Sequence, residues 1–437
     1  MPIVGARGDA PRPARTVLIA VATALLLVVA SSCASESDAG AGGGGGKAST
    51  TTAPSSSAVD DLLGPVDKAK GEPIKIGFVG DGQTAAFDNT SEFTAAQAAV
   101  DYWNEHKAGI AGRPVKLVTC PTGGDPAGAT DCANKLIEDN VVGVALSQSS
   151  VTESVWEPIH QAGVPMMLLA ANGTALLEDD QSTYNLNDGN GTLFTLPFSI
   201  AKEKKVKKIA FVVIDVPQAI STFEDVGPDL IKKAGLEYEL VKVPVGTADM
   251  TPQMQQIAAG GAGLVHVIGN DAFCIAAFQG LEAVAYDGEV TSITSCITDA
   301  TRKSAPASIL DGMYVTALTA VGAADDPSYQ LYDAIMRQYT DSKAINDPIT
   351  MSAYTTVSSF LTSLTDLKGK TIDKDTVNTA IKTMDEQEMP GTAGMKFRCG
   401  AGESKRYASV CSTQTLQAQL DSEGNPKSYT VGESVGN

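Results

Sequence analysis

The sequence has few of the residue patterns from which catalytic or nucleotide-binding sites are built. It contains no His-Glu-x-x-His pair for zinc and no Gly-x-x-x-x-Gly-Lys-Ser/Thr loop for phosphate. Its three histidines, His106, His160 and His266, lie far apart and have no second metal ligand at a suitable spacing. We therefore predict structural roles for His160 and His266, no bound metal or cofactor, and a protein that is not an enzyme.

Positive charge is also scarce. The chain of 437 residues has 32 Lys and Arg against 51 Asp and Glu, which gives a net charge of −19. Phosphates and anionic lipids attract Lys and Arg, so this balance argues against nucleic acid and against an anionic membrane surface as partners. Hydrophobic residues make up 43% of the chain, as is typical of a soluble globular protein. The length exceeds what one hydrophobic core usually spans, so we expect two lobes.

The N-terminus has the features of a targeting segment. Its apolar run, residues 17–30, follows three arginines and is shorter than the ~20 residues that a membrane span needs. The next residues, Ala30-Ser31-Ser32-Cys33, resemble a bacterial lipobox, which implies a signal peptide over residues 1–32 and lipidation of Cys33. The alternative is ordinary secretion with a free cysteine. Residues 33–72 are rich in Gly, Ser and Thr, and we predict a flexible tether.

Residues 141–177 carry a clear alternation of strand and helix. Apolar residues 141–146 predict a buried strand, and residues 165–169 predict a second one. Between them, Ser150 and Glu153 have the spacing of a capping box, which predicts a helix that starts there. Parallel strands bring the loops that follow them to one edge of a sheet, where α/β proteins bind ligands. Amide N–H groups at this helix N-terminus, beside serine hydroxyls, suit a carboxylate or another polar group.

A second loop at the same sheet edge is predicted after the first strand of the folded part. Residues 80–85 match the Gly-x-Gly-x-x-Ala pattern of dinucleotide sites. The next predicted strand ends in Cys120, however, rather than in the acidic residue that would bind a ribose. We therefore interpret residues 80–85 as a turn that brings a loop to the ligand site. Asn89 and Glu92 then predict the cap of a helix over residues 91–106.

Three segments occur in the order found in one known family. They are the serine loop at residues 147–150, the segment Ala162-Gly163-Val164-Pro165, and the small-residue loop at residues 170–172. Together with residues 124–144 they resemble the branched-chain amino-acid-binding family, the extracytoplasmic receptors of ABC importers. The resemblance extends from residue 74 to about residue 397.

This resemblance implies a fold. It is an α/β fold of the periplasmic binding protein type I class, with two Rossmann-like lobes that have parallel central sheets. Three crossings, near Asp188, Ala317 and Phe397, join the lobes as a hinge. The implied bounds are 73–189 plus 318–396 for lobe one and 190–317 plus 397–430 for lobe two.

The resemblance also implies where a ligand binds. In the family, the serine loop and the small-residue loop of lobe one hold the carboxylate of an amino acid. The matching positions here are Ser149, Ser150, Ala170 and Asn172.

Lobe two of the family supplies an aromatic residue and an acid to the ligand's ammonium group. The acid is missing at the matching loop, which reads Ser295-Cys296. Candidates in its place are Asp271 with its neighbour Asn270, or Asp215, and Phe87 is a candidate for an apolar wall.

The cysteines are predicted to form local disulfides. Six cysteines remain besides Cys33, and they fall in three close couples along the chain. Export permits disulfides, and no spacing is that of a zinc site or a redox dithiol. We predict three bonds, each within one lobe: Cys120–Cys132, Cys274–Cys296 and Cys399–Cys411.

These observations predict a monomeric, lipid-anchored receptor on the outer face of the bacterial cytoplasmic membrane. It would capture a small polar metabolite between two lobes and deliver it to the permease and ATPase subunits of an ABC importer. The alternative is a sensor of the same fold that signals to a membrane receptor or kinase, and an exported enzyme is a third hypothesis. Amino acids, small amides, carboxylates and small aromatics all remain open as ligands.

Overall fold

A computed structural model describes residues 56–84, 88–171, 173–216, 219–220, 222–400, 402 and 404–434. The predicted signal peptide, Cys33 and most of the predicted tether lie outside these residues. The last part of the predicted tether contains a helix, α1 (Ser56–Leu63). Val59 and Leu63 of this helix are buried in the core around the first sheet, which the Ser- and Gly-rich composition of the preceding residues concealed.

The first sheet is five-stranded and parallel, in the order β2-β1-β3-β4-β5. Its strands are β1 (Ile74–Gly80), β2 (Val115–Pro121), β3 (Val144–Leu146), β4 (Met166–Ala171) and β5 (Thr183–Asp188).

The second sheet is seven-stranded, in the order β14-β13-β10-β9-β8-β6-β7. Five of its strands are parallel, and the last two form an antiparallel hairpin whose first strand pairs with β10. Its strands are β6 (Lys208–Ile214), β7 (Glu237–Val243), β8 (Leu264–Ile268), β9 (Glu289–Ile293), β10 (Tyr314–Ala317), β13 (Gln414–Leu420) and β14 (Pro426–Glu433). A short antiparallel pair, β11 (Gln387–Glu388) and β12 (Lys396–Phe397), precedes the hairpin.

Helices follow most of the strands, as a parallel sheet requires for its crossovers. They are α2 (Ser91–His106), α3 (Pro126–Glu138), α4 (Thr152–Gln161), α5 (Thr174–Glu178), α6 (Gly189–Lys204), α7 (Gly227–Ala234), α8 (Thr251–Ala259), α9 (Asp271–Ala283), α10 (Asp299–Ser304), α11 (Ala307–Leu310), α12 (Pro327–Tyr339), α13 (Pro348–Thr362) and α14 (Lys374–Lys382). The predicted α/β fold with parallel sheets in two lobes is confirmed.

The chain passes between the two sheets three times. It leaves the first sheet after β5 and leaves the second after β10, and helices α12, α13 and α14 then return to the first core. The third passage leads from β12 to β13. Asp188 marks the first passage: its buried carboxylate caps α6 by accepting hydrogen bonds from the N–H groups of Asn190 and Gly191.

Two predicted capping boxes are wrong. Helix α4 begins after Val151, and no side chain caps it, because the Ser150 hydroxyl bonds elsewhere. Helix α2 likewise begins after Thr90 with no side-chain cap, and Glu92 points into the interior. Ser150 bonds to Asp81 and Glu92 bonds to Ser147, which are both far away along the chain. These long-range hydrogen bonds replace the local hydrogen bonds that a capping box would make.

The six described cysteines form the three disulfides that were predicted: Cys120–Cys132, Cys274–Cys296 and Cys399–Cys411. The last of these closes a loop that runs along β5. In that loop Ser409 accepts, through its carbonyl, a hydrogen bond from the N–H of Asn185 at 2.8 Å, and the N–H of Cys411 donates to the Asn185 carbonyl at 2.7 Å. This disulfide therefore holds the loop against the strand that leads into the first passage.

Candidate ligand-binding cleft

A cleft of about 990 Å³ lies between the two lobes at the carboxyl ends of their strands. This is the position at which open α/β sheets bind ligands. The first lobe lines it with Asp81, Asn89, Pro126, Ser147, Gln148, Ser149, Ser150, Val151, Thr152, Glu153, Ser154, Leu169, Ala170, Ala171, Gly173 and Leu176. The second lobe lines it with Thr192, Leu193, Ile293, Thr294, Ser295 and Thr316, and Gly189 and Leu318 line it where the chain passes between the lobes.

Asp81 organises the wall of the first lobe. It follows β1 directly and is 2% exposed. Its Oδ1 accepts hydrogen bonds from Thr122 Oγ1 at 2.6 Å and from Ser149 Oγ at 2.7 Å. Its Oδ2 accepts from the Ser150 N–H at 2.8 Å and from Ser150 Oγ at 2.7 Å. Burial alone would raise the pKa of Asp81, but these hydrogen bonds outweigh it and hold the pKa below its usual value, so the carboxyl is ionised.

Glu92 lies behind this wall. It is fully buried, and it accepts hydrogen bonds from the Gly82 N–H at 3.0 Å and from Ser147 Oγ at 2.7 Å. Burial raises its pKa to about 7, against the lowering effect of these two hydrogen bonds. Gly80 makes the space for it, because a Cβ at Gly80 would lie 2.2 Å from Glu92 Oε1.

The opposite wall is neutral. Two of its polar groups already make hydrogen bonds within the second lobe: Thr192 Oγ1 donates to the Gly189 carbonyl at 3.0 Å and Ser295 Oγ to the Gly269 carbonyl at 3.2 Å. Leu193 and Ile293 add aliphatic surface. Among the cleft-lining residues of the described chain there is no lysine, arginine, histidine or aromatic side chain.

Residues 73–409 match the family model described as periplasmic binding protein. The chain belongs to this family. Binding proteins of the family take up small ligands for ABC transporters, in agreement with a cleft between two lobes. A comparison with curated proteins gives no match.

Solved structures share the fold of this periplasmic binding protein. An ABC transporter substrate-binding protein from Sphaerobacter thermophilus is 20% identical, with a TM-score of 0.65 over 84% of this chain and 97% of that one. A branched-chain amino acid transporter substrate-binding protein from Streptococcus pneumoniae, in complex with isoleucine, is 16% identical, with a TM-score of 0.63 over 83% and 100%. A solute-binding protein from R. palustris, in complex with 4-hydroxybenzoate, is 19% identical, with a TM-score of 0.65 over 83% and 98%.

Three of the predicted ligand-binding residues line the cleft of this binding protein: Ser149, Ser150 and Ala170. Phe87 and Asn172 lie outside the described residues. The structure thus brings the serine loop and the small-residue loop together, as parallel strands require.

The other three predicted residues do not line the cleft. Asn270 caps α9 by accepting a hydrogen bond from the Phe273 N–H at 3.0 Å. Asp271 accepts from the Ala272 N–H at 2.7 Å and from Thr298 Oγ1 at 3.2 Å. Asp215 is exposed at the end of β6 and is not part of the lining. The first two side chains are thus used to fix local structure at the start of α9.

Sequence reasoning missed Asp81, Glu92 and Glu153 as parts of this region. The signal for Asp81 was its place directly after the first strand, in a loop that was predicted to reach the ligand site. Glu92 was assigned to a helix cap, and Glu153 to the other. The roles of Glu92 and Glu153 were therefore explained locally, although Glu153 lines the cleft and Glu92 supports its wall through Ser147.

The described residues contain no cluster of three or more metal-ligating side chains and no helix long and apolar enough to cross a membrane. The sequence does hold a Gly-x-Ser-x-Gly pattern at residues 432–436. Its serine, Ser434, follows β14 rather than opening a helix, and its Oγ lies 3.5 Å from Thr195 Oγ1. A serine nucleophile needs a strand-to-helix turn and a neighbouring base, and none of the three histidines makes a hydrogen bond to Ser434 in the described chain.

Proposed function

We propose that this protein is an extracytoplasmic, lipid-anchored receptor that captures a small polar metabolite and delivers it to an ABC importer. The observation that carries the proposal is the cleft, which both lobes line with polar loops at the ends of their strands. Family membership supports small-ligand binding for an ABC transporter rather than catalysis. We propose accordingly that the protein is not an enzyme.

Ligand capture would proceed by rotation of the lobes about the three connections near Asp188, Ala317 and Phe397. The first lobe, residues 73–189 and 318–396, would bind the ligand first through Ser149, Ser150 and Ala170. Asn172 and Phe87 are proposed as further contacts. The second lobe, residues 190–317 and 397–430, would then close over the ligand.

Anchoring through Cys33 is supported by the sequence Ala30-Ser31-Ser32-Cys33 and by the Gly- and Ser-rich residues that follow it. A monomer on such a tether would reach the permease by diffusion along the membrane surface. Mass spectrometry of the N-terminal peptide and fractionation of Cys33→Ser cells test the anchor. An unmodified Cys33 in the membrane fraction would contradict it.

The ligand experiment is a thermal-shift panel on the detergent-purified full-length protein. It would contain amino acids, small amides, carboxylates and small aromatics, because relatives of the same fold bind isoleucine and 4-hydroxybenzoate. A ligand at ~100 times its dissociation constant adds roughly 2.7 kcal/mol to the free energy of unfolding, which is readily measured. A shift by one chemical class supports the receptor. No shift with any class would count against it.

A further inference from the structure

We propose that the cleft selects a ligand with a primary ammonium group, held at the hydroxyls of Ser149 and Ser150 in front of the Asp81 carboxylate. This inference rests on the proposed receptor function and names its ligand class. It is the reverse of the carboxylate role that the resemblance implies for the serine loop. Two independent features of the cleft lead to this inference: the direction of the hydrogen bonds in the serine loop and the charge of the lining residues.

The first argument concerns the hydroxyl protons. A serine hydroxyl has one proton to donate and two lone pairs that accept. The protons of Ser149 and Ser150 both go to Asp81, at 2.7 Å each, and that of Ser147 goes to Glu92, also at 2.7 Å. What the serine loop can still offer a ligand through these side chains is therefore acceptor capacity. A carboxylate has only acceptors when ionised, so these hydroxyls could hold it only by giving up their hydrogen bonds to Asp81 and Glu92.

The second argument concerns the amide groups at the start of α4. The sequence led us to expect that they would suit a carboxylate or another polar group. The Ser150 N–H donates instead to Asp81 at 2.8 Å, and the Val151 N–H donates to Ser149 Oγ at 3.1 Å. Asp81 thus stands where an anion would bind, and it already takes the donors that would bind that anion.

The third argument is charge. The cleft lining contains two carboxylates, Asp81 and Glu153, and no cationic side chain among the described residues. Arg302 lines a pocket of about 50 Å³ next to the cleft, but it bonds to Asp299 at 3.0 Å and to the Gly424 carbonyl at 3.3 Å. An anion placed here would lose its hydration beside a like charge with no counter-charge to replace it.

An ammonium group fits all three observations. It has three donors and no acceptor, so it can bind serine oxygens whose protons point away from it. Its positive charge offsets that of the buried Asp81. Neutral donors such as amides and alcohols fit the hydrogen bonds but leave the carboxylate charge uncompensated, and they serve as the discriminating probes.

The test uses two sets of probes on the detergent-purified full-length protein, followed by calorimetry and thermal shift. Butylamine, butyramide and butyrate share a carbon chain and differ in the end group. Isoleucine, isoleucinamide and desamino-isoleucine separate the ammonium from the carboxylate of an amino acid. We expect the probes that carry an ammonium to bind and the two carboxylates without one to fail. Binding of an anion or an amide without any amine would overturn this inference and leave the receptor function standing. Failure of every probe would count against both.

Variants test the assignment to the serine loop. Ser150→Ala removes an exposed acceptor, and we expect amine affinity to fall about tenfold or more, as loss of a hydrogen bond to a charged group does. Glu153→Gln should lower amine affinity as well, whereas Glu157→Gln, an exposed glutamate one turn further along α4 and outside the cleft lining, should not.

Asp81→Asn gives the sharpest result, because it removes the charge and frees the serine protons. Amine binding should fall and carboxylate binding should rise, so that the preference between butylamine and butyrate shrinks or inverts. If Asp81→Asn does not fold, Ser150→Ala carries the test alone. An unchanged preference in a folded Asp81→Asn, or unchanged amine affinity in Ser150→Ala, would refute the assignment.

Discussion

Glu92→Gln should remove a loss of stability that the wild-type protein suffers as the pH rises from 4.5 to about 7. Glu92 is fully buried on α2 beneath the cleft wall. Burial raises its pKa from 4.5 to about 7; hydrogen bonds from Ser147 and Gly82 lower it, and the nearby charges of Asp81 and Asp347 raise it. Glutamine keeps the shape: its carbonyl can accept from the Gly82 N–H, and its NH₂ group can donate to Ser147 Oγ.

The sign of this pH dependence is set by whether the folded or the unfolded protein binds the Glu92 proton more tightly. The folded protein binds the Glu92 proton more tightly than the unfolded chain does, so this stabilisation is fully present below pH 4.5 and is lost as the pH rises through about 7. The difference between 4.5 and about 7 corresponds to about 3 kcal/mol. The wild-type protein should therefore lose about 3 kcal/mol of stability relative to Glu92→Gln across this window.

Urea denaturation of the wild type and of Glu92→Gln measures this difference in unfolding free energy. The series should start at pH 4.5 and end about one pH unit above the raised pKa of about 7. Because other titrating groups are common to both proteins, only the gap between the two curves matters. Glu157→Gln, which removes an exposed carboxylate from α4, is the matched control and should leave a constant gap. Parallel curves for the wild type and Glu92→Gln would refute the reasoning, since they would mean that Glu92 has an ordinary pKa.

Three further predictions concern the packing at Gly80, the disulfide Cys399–Cys411 and the cap of α9. Gly80→Ala should cost ~1–3 kcal/mol of unfolding free energy, because its Cβ would lie 2.2 Å from Glu92 Oε1, and urea denaturation should show partial rescue by Glu92→Ala. Replacing Cys399 and Cys411 with serine should cost about 3 kcal/mol and speed amide hydrogen exchange in β5; unchanged exchange would contradict the role given to that loop. Asn270→Ala should cost ~1 kcal/mol through loss of the α9 cap and leave ligand affinity unchanged in calorimetry.

The alternation of strands and helices in the sequence predicted parallel sheets, because buried strands and their crossover helices leave a strong pattern, whereas the two lobes joined by three crossings were implied by the family resemblance. The disulfides were also predictable, since each joins cysteines that are close along the chain and lie in neighbouring elements. Local rules failed at Ser150 and Glu92, where both capping boxes were wrong. The Ser150 hydroxyl reaches a carboxylate 69 residues away, and Glu92 reaches a serine 55 residues away. No local window contains such partners, and departures of this kind are expected where a chain builds a binding site.

The two walls of the cleft differ in how completely they are formed before a ligand arrives. In the first lobe, Asp81 and Glu92 fix the serine loop through hydrogen bonds of 2.7 to 2.8 Å that need no ligand. Side chains held in this way lose little freedom when they bind, so more of the interaction energy contributes to affinity. The second lobe adds hydroxyls and aliphatic groups without charge. In the proposed mechanism, charge selection therefore belongs to the first lobe, before closure, and the second lobe discriminates by hydrogen bonds, size and shape.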